Sequence, residues 1–205
     1  MSSQPMMPIH PDLEIDQIER VWSGRFPLDR VRFRHRRFDG ALTRLKTWEL
    51  WRRGKAAALL PYDPVRDAVL LIEQFRLPAL AAGLDPVVVE IPAGLCDSGE
   101  SAEETVRREV KEEIGLEADR LHAVGQFILT AGGADEVCTI FAGRVRAPEA
   151  GADGVVGYAG AQAEDEDIRV RLWDASAAIA AAIEGRFPNS VTAIALLWLN
   201  AAREK

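Results

Sequence analysis

The sequence has few of the residues and runs that mark secreted, membrane and histidine-ligated metal proteins. Its 205 residues include two cysteines, Cys96 and Cys138, without the C-x-x-C spacing of redox or zinc sites. We therefore expect reduced thiols and a cytoplasmic protein. The three histidines, His10, His35 and His122, show no metal-ligand spacing. The chain has no run of about 18 apolar residues, so no membrane-spanning helix is predicted.

The N-terminal residues MSSQPMMPIHPDLEID lack the basic start and apolar core of a secretory signal. We predict a loose leader over residues 1–19. Length, together with 48% hydrophobic and 28% charged residues, fits one globular domain with an appendage. The appendage is predicted to be a β ribbon over residues 20–55, followed by the main domain over residues 56–205.

Positive charge is concentrated in the predicted ribbon. The chain has a net charge of −7, yet residues 20–55 hold 12 Lys and Arg against 3 Asp and Glu. In RVRFRHR, which begins at Arg30, arginines alternate strictly with other residues, a pattern that predicts a half-buried strand. Asp39 and Gly40 predict a hairpin turn into a second strand that ends at Trp51. A basic face fits nucleic acid, the acidic face of a partner subunit or a phosphorylated substrate. The acidic overall charge and the lack of aromatic residues on the arginine face favour the last two, so no nucleic-acid partner is predicted.

Mixed strands and helices are predicted from residue 55 onward. The stretches AAALLPYDPVRDAVLLIEQFR and LHAVGQFILTAGGADEVCTIFAGRV each predict two strands, whereas DPVVVEIPAG and DEDIRVRLWD each predict one. Helices are expected over Ser176–Glu184, with a serine as its cap, and over Ser190–Arg203.

The segment Gly94–Leu116, GLCDSGESAEETVRREVKEEIGL, carries most of the chemistry. Ser101 followed three residues later by Glu104 predicts a capping box, and Gly115 predicts a helix stop. A helix is therefore expected from about Ala102 to Ile114. Its apolar residues recur every four positions and form a stripe that would anchor it to a core.

Three glutamates, Glu109, Glu112 and Glu113, stand at i, i+3 and i+4 and share one face of this helix. Carboxylates this close repel one another unless a cation neutralises them. Hard oxygen ligands suit Mg²⁺ or Mn²⁺, which would also hold phosphate oxygens. Arg108, four residues before Glu112, could orient a carboxylate. A solvated helix face is the plainer interpretation of a glutamate cluster, but the glycine and glutamate spaced ahead of this helix weigh against it.

These spacings resemble the Nudix box, G-x5-E-x7-R-E-U-x-E-E-x-G-U, where U is aliphatic. The residues at its fixed positions are Gly94, Glu100, Arg108, Glu109, Val110, Glu112, Glu113, Gly115 and Leu116. The resemblance implies hydrolysis of a nucleoside diphosphate linked to another moiety, and an α/β fold, the α/β/α sandwich with a mixed sheet. It also implies two or three Mg²⁺ or Mn²⁺ ions. The implied metal ligands are Glu109, Glu113, Glu112 and the carbonyl of Ala93, while Glu100 is implied to brace its loop.

Motifs outside the box are similar to the ADP-ribose pyrophosphatase branch of that family, over about residues 20–203. In order they are LIEQFR, VVVEIPAGL, a Gly-Gly loop, EDEDIRV and the C-terminal helices. The branch implies that Arg76 contacts the pyrophosphate and that Glu90 binds the ribose or adenine region. It also takes a base or a further metal ligand from a late acidic loop, which implies Glu164 as the base and Glu166 as a ligand. The Gly- and Ala-rich residues 149–163 would form a lid.

Some family members hold adenine between an aromatic ring and an arginine from the N-terminal regions of two subunits. The corresponding residues here are Arg25 and Trp48, with the two partner types exchanged, which cation–π stacking tolerates. This implies a homodimer through the ribbon. Arg53 could reach a phosphate, and Gly133 could let the loop backbone approach the substrate. Packing or surface roles stay open for all four residues.

The resemblance favours ADP-ribose as substrate, with AMP and ribose 5-phosphate as products. GDP-mannose or another nucleotide sugar stays open, because relatives that hydrolyse them share the DEDI-like segment. A non-enzymatic module that senses ADP-ribose is a second alternative, against which the complete set of box carboxylates argues.

Overall fold

The computed structural model of the protein describes residues 7–160 and 166–203. The chain forms two compact units. The first contains the residues up to Arg53 together with Thr130–Glu136, and the second contains Gly54–Leu129 and the residues from Val137 onward. The Gly-Gly loop therefore belongs to the first unit, although the strands that precede and follow it belong to the second. In the described part of the chain, no helix combines the length and the apolar character needed to cross a bilayer.

The first unit contains an antiparallel three-stranded sheet in the order β1–β2–β3. Its strands are β1 (Leu13–Trp22), β2 (Leu28–His35) and β3 (Lys46–Trp51). In β2, Val31 and Phe33 are buried while Arg30 and Arg34 are exposed, which confirms the predicted half-buried strand. The predicted hairpin is also present, since β2 pairs antiparallel with β3 and Gly40 adopts a φ of 84° between them.

Strand β1 begins at Leu13, within the segment predicted to be a loose leader. Acidic side chains in β1 and just before it form ion pairs with arginines in β2 and just after it. The pairs are Glu19 with Arg30 at 3.2 Å, Asp16 with Arg32 at 3.4 Å and Asp12 with Arg36 at 3.3 Å. The sequence pattern of β1 gave little strand signal because most of its residues are exposed and its partners lie on another strand. Acidic residues of the same chain therefore pair with arginines of the basic face. The sequence had indicated only a partner subunit, a substrate or nucleic acid as the source of negative charge.

The second unit is built on an eight-stranded mixed sheet. Its strands are β4 (Lys55–Asp63), β5 (Ala68–Phe75), β6 (Val87–Glu90), β7 (Ala93–Leu95), β8 (Asp119–Ile128), β9 (Val137–Arg144), β10 (Val155–Ala159) and β11 (Ile168–Asp174). The main path runs β10–β11–β5–β4–β9–β8, with β6 beside β5 and β7 beside β4. Only the β4–β9 pair among these is parallel.

Two short strands replace the single strand predicted over DPVVVEIPAG. Strands β4 and β5 pair next to their connecting turn, where Tyr62 lies opposite Val69, and then diverge. Beyond that point β6 pairs with β5 and β7 pairs with β4. Pro92 lies between β6 and β7 and has no N–H to donate to a ladder. The break places Glu90 at the end of β6 and Ala93 at the start of β7.

Helices cover both faces of this sheet. They are α1 (Leu77–Ala81), α2 (Ala102–Ile114), α3 (Ala175–Ile183) and α4 (Ser190–Arg203). Val106 and Val110 of α2 pack in one core with Leu70, whereas Leu196 of α4 packs in the opposite core with Leu71. Neighbouring residues of a strand face opposite sides, so each core uses alternate positions of β5. This arrangement confirms the predicted α/β/α sandwich with a mixed sheet.

The ends of α2 follow the local sequence. Ser101 Oγ accepts from the Glu104 amide at 3.2 Å, and the Glu104 carboxylate accepts from the Ser101 amide at 2.8 Å, which confirms the capping box. Gly115 ends the helix with a φ of 71°. In α3 the cap is Asp174, which accepts from the Ala177 amide at 2.8 Å, and not the predicted serine.

Strand β10 lies in the Gly- and Ala-rich segment that was predicted to be a flexible lid. It pairs antiparallel with β11, where Tyr158 lies opposite Arg169. Valine and tyrosine favour extended backbone once a partner strand is available. The predicted loop conformation is therefore wrong for Val155–Ala159, which form a strand. Residues 161–165, which include Glu164, lie outside the described residues.

Candidate active site

Helix α2 presents its glutamates at different depths. Glu113 is buried, Glu109 is half-buried and Glu112 is exposed. Glu113 accepts a hydrogen bond from the Ala93 amide at 3.0 Å, so the start of β7 lies against the helix. The Glu109 carboxylate lies against Gly94, where a Cβ atom would stand 1.7 Å from Glu109 Oε1. Only glycine leaves room for this carboxylate at that position.

Arg108 connects three of the predicted carboxylates. Its guanidinium donates to Glu109 at 2.7 Å, to Glu112 at 3.1 Å and to both oxygens of Glu100 at 3.1 Å. It also donates to the carbonyl oxygen of Leu95 at 3.2 Å. A planar guanidinium with five donors suits such a junction, because it fixes several acceptors in one plane. Arg108 therefore contacts Glu112, one helical turn away, as its spacing predicted.

Glu100 joins the loop before α2 to the helix. Besides Arg108, it accepts from the Asp97 amide at 3.0 Å and from the Thr105 hydroxyl at 2.9 Å. The hydrogen bonds from Arg108 hold the pKa of the Glu100 carboxyl at about 2, below its ordinary 4.5. Each of these partners favours the ionised form. This geometry agrees with a bracing role and leaves Glu100 engaged by protein donors.

We expect Glu100→Gln to lower the free energy of unfolding by about 1–3 kcal/mol at pH 7, because Arg108 loses one of its three charged partners. A depressed folded-state pKa stabilises the protein above the unfolded-state pKa, and this stabilisation is lost as pH falls toward the folded-state value of about 2. The loss on substitution should therefore be smaller at pH 3 than at pH 7 in urea unfolding. Glu103→Gln, which removes an exposed pair with Arg107, should cost less than about 1 kcal/mol. An equal cost of Glu100→Gln at both pH values would contradict this interpretation.

Negative charge accumulates around Glu113. Burial, followed by the charges of Glu109 and Glu166, raises the pKa of its carboxyl to about 9, while the Ala93 amide and the charge of Arg76 act in the opposite direction. Burial also raises the pKa of Glu109, with Glu112 and Glu166 adding to the shift and Arg108 opposing it. The charge of Glu166, two residues before β11, therefore acts on Glu109 and Glu113 of α2. Three carboxylates from two elements thus converge with little solvent to screen them.

A divalent cation fits this donor set. Hard carboxylate oxygens are the ligands that Mg²⁺ prefers. A bound cation would stabilise the ionised carboxylates against the burial and the repulsion that raise the pKa values of Glu109 and Glu113. Among residues 7–160 and 166–203, no three acidic, histidine or cysteine side chains already stand in metal-holding geometry. The side chains instead engage protein donors, with Glu109 and Glu112 on Arg108 and Glu113 on the Ala93 amide.

A second polar group lies at the end of β6. The nearly buried Glu90 accepts from Arg76 Nε at 2.7 Å through one oxygen and from Asn189 Nδ2 at 2.5 Å through the other. Arg76 follows β5 and lowers the pKa of Glu113 through its charge. The structure therefore brings the two residues implied to bind substrate next to each other and into electrostatic range of the α2 carboxylates.

The Glu166 side chain contacts Gln74 of β5. Gln74 Nε2 lies 3.5 Å from Glu166 Oε1, at the outer limit of a hydrogen bond. The next residue back, Glu73, is nearly buried and forms ion pairs with Arg169 and with Arg171, the latter at 3.2 Å. These contacts tie the start of β11 to β5. Glu164, the implied base, lies outside the described residues.

The other implied substrate residues belong to the first unit. Arg53 pairs with Glu136 at 3.0 Å and stacks over the Phe26 ring at 3.9 Å. Arg25 lies 5.6 Å from the same ring, whereas Trp48 makes an edge contact with Phe33 at 5.3 Å between ring centroids. Within this chain, Arg25 and Trp48 therefore have different ring partners. The carbonyl of Gly133 accepts from the Trp51 amide at 2.8 Å, which anchors the Gly-Gly loop to β3.

Sequence reasoning missed Asn189, although a local signal was present. Asparagine is a strong helix cap, and Asn189 directly precedes the predicted helix Ser190–Arg203. Its Oδ1 accepts from the Thr192 amide at 2.9 Å. Its contact with Glu90 had no comparable signal, because the two residues are 99 positions apart.

Comparisons with known proteins agree with this architecture and site. Residues 52–187 match the model of the NUDIX domain. The ADP-ribose pyrophosphatase of Escherichia coli (strain K12) is 42% identical over 188 residues, which cover 92% of this chain and 88% of that protein. The ADP-ribose pyrophosphatase of Haemophilus influenzae is 33% identical and covers 92% and 86%. The GDP-mannose pyrophosphatase of Yersinia enterocolitica is 34% identical and covers 73% and 75%.

A solved structure shares the fold over nearly the whole chain. The crystal structure of an ADP compounds hydrolase superposes with a TM-score of 0.68 at 20% identity, covering 97% of each chain. At that identity the likeness concerns the fold alone. The domain match spans more than half of the sequence, and relatives with 42% and 33% identity extend over most of it. This protein therefore belongs to the Nudix family.

Proposed function

We propose that this protein is an Mg²⁺-dependent hydrolase that cleaves the pyrophosphate bond of ADP-ribose or a related nucleoside diphosphate sugar. ADP-ribose would yield AMP and ribose 5-phosphate. Relatives named for ADP-ribose align over 92% of the chain, whereas the relative named for GDP-mannose aligns over 73%. This difference favours ADP-ribose, and GDP-mannose is the second candidate.

The observation that carries the proposal is the juxtaposition of a carboxylate cluster with a guanidinium. Burial and the charges of Glu109 and Glu166 raise the pKa of Glu113, and the charge of Arg76 opposes this effect. A cation site beside an arginine suits two linked phosphates, because both groups attract phosphate oxygens. A sugar or a base without phosphates would make use of neither group.

Each group of the chain has a distinct proposed part in the reaction. Two or three Mg²⁺ or Mn²⁺ ions, held by the carboxylates and the Ala93 carbonyl, would neutralise the diphosphate and activate water. Arg108 keeps Glu109 and Glu112 oriented toward that position. Arg76 binds a phosphate oxygen, and Glu90 binds the ribose or adenine region. Glu164 accepts the proton of the attacking water, and Glu166 completes the ligand set.

A substrate panel tests the proposed activity. Phosphate release in the presence of a coupled phosphatase would be compared for ADP-ribose, GDP-mannose, FAD and NADH, with Mg²⁺ and with a chelator. We expect the highest kcat/KM for ADP-ribose and no turnover with the chelator. Preference for GDP-mannose would transfer the assignment to the second candidate. Binding of ADP-ribose without turnover would instead indicate a sensing module.

Two further parts of the proposal are tested separately. If Glu164 is the base, Glu164→Gln should reduce kcat strongly, and near-normal turnover of this variant would assign the base elsewhere.

We also propose a homodimer through the ribbon, with Arg25 and Trp48 of the two subunits beside adenine and with Arg53 and Gly133 beside the substrate. Trp48 retains 52% exposure, which leaves its ring available to such a partner. A monomer in light scattering at assay concentration would refute this arrangement.

A further inference from the structure

Asn189 makes hydrogen bonds in two directions from the N-terminus of α4. Its Oδ1 accepts from the Thr192 amide at 2.9 Å and from the Thr192 hydroxyl at 3.2 Å. Its Nδ2 donates to Glu90 at 2.5 Å. The orientation of the amide follows from chemistry, because a backbone N–H requires an acceptor and a carboxylate requires a donor. Asn189 therefore caps a helix and holds a carboxylate with the same side chain.

Glu90 is fixed at both of its oxygens. One accepts from Asn189 and the other from Arg76 Nε at 2.7 Å. The Glu90 residue as a whole is only 8% exposed. The following amide, of Ile91, donates to the fully buried Thr192 hydroxyl at 3.0 Å. Two consecutive residues of the β6 end are thus anchored to the first turn of α4. This anchoring leaves Glu90, and with it Arg76, little freedom to reorient.

We propose that Asn189 is a positioning residue for substrate binding, which sets the Glu90 carboxylate and through it the Arg76 guanidinium. The inference rests on the proposed function, in which Arg76 and Glu90 bind the nucleoside diphosphate sugar. Through these two residues, Asn189 affects the binding of the substrate and not the chemical step. Its loss therefore raises KM, whereas the carboxylates of α2 that carry the chemical step keep their own contacts.

Asn189→Asp separates the two roles of this side chain. Aspartate caps helices as well as asparagine does, so the bond from the Thr192 amide is retained. The donor to Glu90 is replaced by a carboxylate oxygen, which repels it. We expect KM for ADP-ribose to rise about tenfold or more while kcat changes less than about threefold. Ser190→Asp adds the same charge at the same helix end from an exposed position, and its KM should stay within about twofold of wild type.

A reversed pair provides a rescue experiment. In Asn189→Asp combined with Glu90→Gln, the amide and the carboxylate exchange sides, and the hydrogen bond can form again. We expect this double variant to have a KM below the product of the two single effects, which is the signature of direct coupling. Multiplicative effects, or a normal KM for Asn189→Asp, would overturn the inference.

Urea unfolding of the wild type, Asn189→Asp, Glu90→Gln and the double variant tests this inference independently of the proposed function. Coupling between positions 90 and 189 in the unfolding equilibrium is expected whether or not ADP-ribose is the substrate. Absence of coupling there overturns the positioning role. Wild-type protein that hydrolyses no nucleotide sugar in the panel overturns the proposed function instead.

Discussion

Glu113→Gln is expected to reduce kcat for ADP-ribose by about a thousandfold or more, while the fold is retained. Glu113 is the most buried carboxylate of α2, at 2% exposure, and Glu109 and Glu166 crowd it with negative charge. A cation bound among these groups would depend most on the ligand that solvent cannot replace. Glutamine keeps the shape of the side chain and can still accept from the Ala93 amide, but it removes the charge.

The measurement is Mg²⁺-dependent turnover, with circular dichroism and urea unfolding as tests of folding. Glu117→Gln is a matched control, because Glu117 is exposed just beyond the same helix, and its kcat should stay within about twofold of wild type. Turnover of Glu113→Gln within about tenfold of wild type, in a folded protein, would exclude Glu113 as an essential metal ligand.

Features encoded over a few neighbouring residues were predicted accurately. The bounds of α2 follow from Ser101, Glu104 and Gly115, each of which acts within one or two helical turns. The junction at Arg108 was expected for the same reason, because Arg108 and Glu112 are one helical turn apart. In these cases the spacing of residue types was sufficient, since the helix itself brings them together.

Features that depend on distant partners were predicted poorly. Strand β1 is mostly exposed and polar, and it is ordered by pairing with β2, where its acids meet the arginines. Strand β10 similarly depends on β11. In the site, the sequence resemblance pointed to Arg76 and Glu90 separately, but their direct contact and their link to Asn189 require the folded sheet. Local pattern carries no information on which of several available charges will be neighbours.

Gly94→Ala is expected to lower kcat about a hundredfold with little loss of stability, because it displaces Glu109. A Cβ atom at position 94 would stand 1.7 Å from Glu109 Oε1 and 2.1 Å from its carboxyl carbon. The obstacle is the far end of a flexible side chain, so the carboxylate moves and the backbone does not. Gly94 is not among the residues with positive φ, so alanine introduces no backbone strain there.

The displaced carboxylate distinguishes this prediction from general damage to the fold. Glu109 would leave its position beside Arg108, 2.7 Å away, and with it the ligand set proposed for the cation. Half-maximal activity should therefore require about tenfold more Mg²⁺, while the unfolding free energy changes by less than about 1 kcal/mol. Gly157→Ala is the control, since a Cβ there would meet no atom within 4 Å. An unchanged Mg²⁺ requirement in Gly94→Ala would show that Glu109 can move without loss of the cation. Glu109 would then be excluded from the proposed set of metal ligands.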